Sequence, residues 1–141
     1  MNFKDIPIGK LIEQKVIEQK ILISRICNFL NCEEEDVKEM YQKNSIDTYI
    51  LLRWSKLLGY DFFRIYTQHL ILYAPSSNEN SAPEKNTKTQ LPEFRKNIYT
   101  EEIKTFILEK INSKEMTNAE VVLRYNIPKS TLSKWIRKNN G

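Results

Sequence analysis

Glycine, histidine and cysteine are scarce in this chain of 141 residues, which contains three, one and two of them respectively. Three scattered glycines cannot build the Gly-rich loop that cradles a phosphate. With His69 as the single histidine, no Ser/His/Asp or Cys/His grouping for nucleophilic catalysis can be assembled. A zinc site needs about four nitrogen or sulfur ligands in a compact group. Cys27, Cys32 and His69 cannot supply them in one chain, so neither a metal nor any other cofactor is expected. The cysteines read as reduced, Cys27 as a core residue and Cys32 at a helix start. No run of about 18 apolar residues occurs and no basic-then-apolar signal peptide opens the sequence. A cytoplasmic protein without membrane contact is expected, and an enzyme is the least supported class.

One further absence is local. From Val121 to the last residue no Asp or Glu occurs, whereas Arg124, Lys129, Lys134, Arg137 and Lys138 are all cationic. The formal charge of +4 is distributed accordingly. Residues 1–74 carry 10 basic and 10 acidic side chains, residues 75–92 two of each, and residues 93–141 10 basic against 6 acidic. A basic excess confined to one segment is the electrostatic signature of a nucleic-acid module.

Residues 74–92 combine Pro, Ser, Asn and Lys with one large apolar residue, Leu91. Such a stretch buries too little surface to offset its ordering entropy. A flexible linker is therefore expected there, between small domains at 1–73 and 93–141.

Both domains read as helical, giving an all-α fold. Pro7 precedes a first helix whose face carries Ile8, Leu11, Ile12 and Val16. Ser24 is expected to cap a second helix through Ile26, Phe29 and Leu30, and Val37, Met40 and Tyr41 mark a third. Ser45 or Asp47 caps a fourth, running through Ile50, Leu51, Trp54, Leu57 and Leu58 and ended by Gly59. Phe62 to Tyr73 is the most apolar segment, and its β-branched and aromatic content suits a strand as well as a helix. Nothing else in this domain reads as a strand to pair with it, so a helix is expected. That helix either closes the core or forms an oligomer contact.

In the C-terminal domain Thr100 caps a helix carrying Ile103, Phe106, Ile107 and Ile111. Thr117 followed by Glu120 has capping-box spacing and opens a second helix through Val121, Val122 and Tyr125. Ile127 and Pro128 then start a third at Lys129. On that last helix Leu132, Trp135 and Ile136 share one face, and Ser130, Lys134 and Arg137 recur at i, i+4 and i+7 on the other. A helix in a major groove needs this division. Apolar anchors lie behind, hydroxyls and Arg reach base edges, and Lys134 and Lys138 meet phosphates. Lys129 and the free N–H groups of the first turn add an anion site. The candidate DNA-contacting set is Lys129, Ser130, Thr131, Ser133, Lys134, Arg137 and Lys138.

From about Tyr99 to Lys138 the chain resembles the transposase-type helix-turn-helix of the small first-frame proteins of two-frame insertion sequences. The likeness rests on Glu101, Glu102 and Lys104, on Ala119 to Val121, on Tyr125 to Ile127, on Ser130 to Leu132, and on Trp135 with Ile136. It implies binding to terminal repeats of an element, with Ser130, Thr131, Lys134 and Arg137 in contact, and a separate catalytic transposase as a possible partner. The chain departs from that family in showing neither a three-carboxylate catalytic domain nor an evident leucine zipper. Residues 1–73 resemble the phage-repressor-like (Cro-like) helix-turn-helix in Ile8 to Ile12, Ile26 to Cys32 and Trp54 to Gly59. Here the recognition-helix position holds Glu33, Glu34, Glu35, Asp36 and Glu39, which a phosphate lattice would repel.

The expectation is a non-catalytic, sequence-specific double-stranded DNA-binding protein, either transposase-associated or a transcriptional regulator. It would read DNA with helix 129–138 and form a homodimer through residues 1–73. The alternative is a protein-interaction adaptor using the acidic and apolar N-terminal domain.

Overall fold

Local punctuation decides where the helices begin and end, and it is visible in the structure, a computed structural model. Residues 1–74, 89–94 and 97–140 are described. Among them are eight helices and no strand, so the fold is all-α. The linker expected at 74–92 falls largely on residues 75–88, outside the described residues. Packing divides the chain into two compact units, Asn2–Tyr66 and Thr67–Gly141, the latter together with Met1.

The first unit holds α1 (Ile8–Gln19), α2 (Ile23–Leu30), α3 (Glu34–Tyr41), α4 (Thr48–Leu58) and the start of α5 (Phe63–Tyr73). α1 and α2 each pack against both α3 and α4. Their shared core is Ile8, Ile12, Ile26, Val37, Leu51, Trp54, Leu58 and Phe62, all buried. Asp47 caps α4, its Oδ1 accepting from the N–H groups of Tyr49 at 2.8 Å and Ile50 at 3.3 Å. Gly59 ends that helix with φ 60, and its N–H donates to the Ser55 carbonyl. Ser24 does not cap α2. The helix begins at Ile23 after an extended Leu22, which leaves Ser24 inside the first turn. Ile50 also departs from expectation and is 37% exposed. The buried stripe of α4 runs through Leu51, Trp54 and Leu58, and Ile50 lies at its edge, about 40° beyond Trp54.

Gly9 sits where α1 meets the end of α3 backbone to backbone. Its N–H donates to the Lys43 carbonyl at 3.0 Å. A Cβ at this position would lie 2.2 Å from the Met40 carbonyl oxygen and 2.6 Å from that of Tyr41.

Tyr41 packs with its ring centroid 6.1 Å from that of Trp54. Burial, with help from Glu13 and Cys27, pushes its phenol up from 10.0 to about 12. Deprotonation is thus harder in the folded protein than in the unfolded chain. The associated stability is fully present below pH 10.0 and is lost as pH rises towards about 12. Thermal melts across that range should show Tyr41→Phe losing less stability than the parent protein.

The second unit comprises the rest of α5, α6 (Glu101–Asn112), α7 (Asn118–Tyr125) and α8 (Lys129–Asn140). α8 packs on α6 and α7. Ile103, Ile107, Val121, Tyr125, Ile127, Leu132 and Trp135 are buried, as are Ile71 and Leu72 of α5. The division between units falls within α5, after Tyr66, whereas composition placed it after residue 73. Gln68 supplies the physical reason. It is fully buried, its Nε2 donates to the Ile98 carbonyl at 2.7 Å, and its Oε1 accepts from the Thr100 N–H at 3.0 Å. One side chain on α5 thus satisfies the backbone that leads into α6. Gln68→Leu would strand a donor and an acceptor, and is expected to cost about 2 kcal/mol or more. Chemical denaturation monitored by helix content would measure that loss.

Candidate nucleic-acid interface

α7 begins where Thr117 accepts the Glu120 N–H on its hydroxyl at 3.2 Å. It ends at Asn126, whose left-handed backbone (φ 52) only glycine and small polar residues adopt readily. Ile127 plugs into the core and Pro128 leads straight into α8, its carbonyl accepting the Leu132 N–H at 3.1 Å. A three-residue turn of Asn126, Ile127 and Pro128 therefore joins the two helices in helix-turn-helix fashion.

α8 is anchored from behind. Leu132 and Trp135 are buried, and the Trp135 ring meets Tyr99 edge-on with centroids 5.0 Å apart. The Lys104 ammonium lies over the same indole at 6.0 Å. Trp135 thus serves as a packing residue. Ile136, expected to pack fully, is only half-buried, because it borders a shallow groove between α7 and α8.

The candidate contact residues take graded positions around α8. Ser130, Lys134 and Arg137 are exposed and share the middle of the outer face. Lys129 and Ser133, also exposed, lie on its α7 side, where they line the groove with Asn118, Val122 and Leu132. Lys138 is exposed on the opposite flank, and Thr131 is half-buried beside it. Asn118, exposed in the first turn of α7, joins Lys129 at this groove and was not singled out from sequence. The available signal was its position directly after the Thr117 cap.

Charge is compensated unevenly in the second unit. Lys104 pairs with Glu101 and Lys110 with Glu115, each at 3.0 Å, whereas Lys114 and Arg124 form no ion pair among the described residues. The Glu115 carboxylate holds the Lys110 pKa above its ordinary value. Among the described residues, Lys129, Lys134, Arg137 and Lys138 form no ion pair. Four cations thus point to solvent from one helix without a compensating carboxylate.

The first unit shows the opposite electrostatics on similar local geometry. Asn31 (φ 54) ends α2, and α3 starts at Glu34 after a short turn. The Asp36 carboxylate accepts the Glu33 N–H at 3.0 Å. Glu33, Glu34, Glu35, Asp36 and Glu39 are all exposed. Glu33, Glu34, Glu35 and Asp36, at the start of the helix, stabilise the positive end of its dipole, whereas Glu39 lies in the last turn. Among the described residues, no group of three or more His, Cys, Asp or Glu side chains could hold a metal ion. Nor is any helix among them long and apolar enough to cross a membrane.

No protein family, curated protein or solved structure matches the chain.

Proposed function

We propose that this chain is a non-catalytic, sequence-specific double-stranded DNA-binding protein that reads its site with α8. The observation that carries the reading is the exposed, carboxylate-free outer face of that helix. Ser130, Lys134 and Arg137 are central, with Lys129, Ser133 and Lys138 flanking. Arg137 and the hydroxyls suit base edges, whereas Lys129, Lys134 and Lys138 suit phosphates. Thr131 is half-buried and contributes less to the contact than its exposed neighbours. The resemblance to transposase-type helix-turn-helix proteins supports the same reading. It leaves two roles, regulation of transcription or service beside a catalytic transposase.

Dimerisation would come from the N-terminal helices. Tyr49 and Leu52 of α4 are 67% and 41% exposed, a pairing of large apolar residues that favours association. A homodimer would present two copies of α8 to a site with two half-sites. Cyclic selection of the full chain on a random duplex pool tests the proposal. Enrichment of a defined sequence is expected, and a pool that stays random through successive rounds contradicts specific reading.

The exposed carboxylates of α3 favour a second reading, a protein-interaction adaptor. It differs in its expected partner. A purified adaptor would bind a basic protein surface and leave duplex DNA free at low salt.

A further inference from the structure

Two thiols lie across the turn that joins α2 to α3. After Asn31 turns left-handed, the Cys32 N–H reaches back to the Cys27 carbonyl at 3.1 Å. This six-to-one bond closes a Schellman-type helix end, a motif in which the side chains at the two ends of the bond frequently meet.

Covalent geometry converts the bond into a limit on the cysteines. A carbonyl oxygen lies about 2.4 Å from its own Cα, and an amide nitrogen about 1.5 Å from its own. Even with every atom in line, the two Cα atoms are no more than about 7 Å apart, within the reach of a disulfide. Cys27 also stands close enough to the Cys32 thiol to help raise its pKa. Both residues are free thiols and only half-buried, so a small reagent can reach them.

We propose that Cys27 and Cys32 are a modification site, closed to an intrachain disulfide by exchange with a low-molecular-weight disulfide such as oxidised glutathione. One cysteine thiolate attacks a sulfur of the small disulfide, whose S–S bond breaks and releases one small thiol after protonation. The other cysteine then attacks the protein-bound sulfur and expels the second small thiol. The two cysteines together lose two electrons and two protons, and the small disulfide is reduced to two thiols. Burial, the neighbouring Cys27, and the Asp36 and Glu33 carboxylates hold the Cys32 thiol above its ordinary value. Proximity, not acidity, therefore drives ring closure. The bridge would tie the end of α2 to the residue before Glu33, clamping the α2–α3 turn.

The test incubates the full-length protein with oxidised glutathione and follows intact mass and alkylatable thiol. The parent protein should end two hydrogens lighter, without bound glutathione and without free thiol, and dithiothreitol should reverse the change. Cys27→Ser and Cys32→Ser should each stop as a stable glutathione adduct, because the resolving thiol is missing. Retained glutathione on the parent, a disulfide-linked dimer, or thiols that stay fully alkylatable would each overturn the proposal. So would closure that is as fast in denaturant as in the folded protein, because the fold would then not be what pairs the thiols.

Discussion

Replacing Lys134 and Arg137 together by glutamine is expected to weaken duplex binding by at least about 2 kcal/mol, roughly 30-fold. Both side chains are exposed on the middle of the outer face of α8, and neither has a carboxylate partner among the described residues. Each charge brought to a phosphate releases condensed counterions and contributes about 0.9 to the slope of log affinity against log salt. Losing two such contacts should flatten that slope by about 1.8. If Arg137 reads a base edge instead, the slope should fall by about half that amount, and discrimination between sequences should relax with it. Titrations of both proteins over a salt series separate the two cases. Neither side chain packs in the core, so the melting temperature should stay within about 2 °C of the parent's. Unchanged affinity in the double variant would remove α8 from the account.

The second large effect concerns the first unit alone. Gly9→Ala is expected to destabilise it by about 3 kcal/mol, at the upper end of the overpacking range. The new methyl would fall 2.2, 2.6 and 2.7 Å from three backbone oxygens, those of Met40, Tyr41 and Lys43. These atoms belong to the end of α3 and the turn beyond it, so they cannot rotate away as a flexible side chain would. Relief requires moving α1, and with it the Ile8 and Ile12 contacts in the core and the Gly9 N–H bond to Lys43. For a unit of this size the loss corresponds to a fall of about 10 °C or more in melting temperature. Differential scanning calorimetry would measure it. A melt within a degree or two of the parent's would show that α1 and α3 are not in backbone contact. Gly59→Ala is the comparison. No atom lies near its missing Cβ, so its cost should come only from the left-handed backbone (φ 60).

Why some elements were legible in the sequence and others were not follows from the range of the interactions involved. Asp47, Thr100 and Thr117 were readable as caps because the bonds they make close within three residues. Gly59 and Pro128 were readable for the same reason, since each acts on its own dihedral angle. Ser24 misled because a good capping residue guarantees no cap when the chain enters the helix two residues earlier, at Leu22. Phe62 to Tyr73 was settled as helix only by the lack of any strand to pair with. Gln68 and Gly9 were invisible in their roles. The carbonyl that Gln68 satisfies lies 30 residues away, and the backbone that Gly9 must clear belongs to another helix. The candidate interface was legible because helical periodicity alone sorts Ser130, Lys134 and Arg137 from Leu132 and Trp135. The groove that brings Asn118 beside Lys129 depends on how α7 packs on α8, and periodicity says nothing of that.

The central claim is that the unpaired cations of α8 meet duplex DNA. Fluorescence anisotropy of the full-length protein on a labelled random duplex pool, across about 50–200 mM salt, tests it most directly. The account predicts saturable binding at the low end that weakens steeply as salt rises. No binding at about 50 mM salt, or binding indifferent to salt, would contradict it and turn attention to the acidic face of α3.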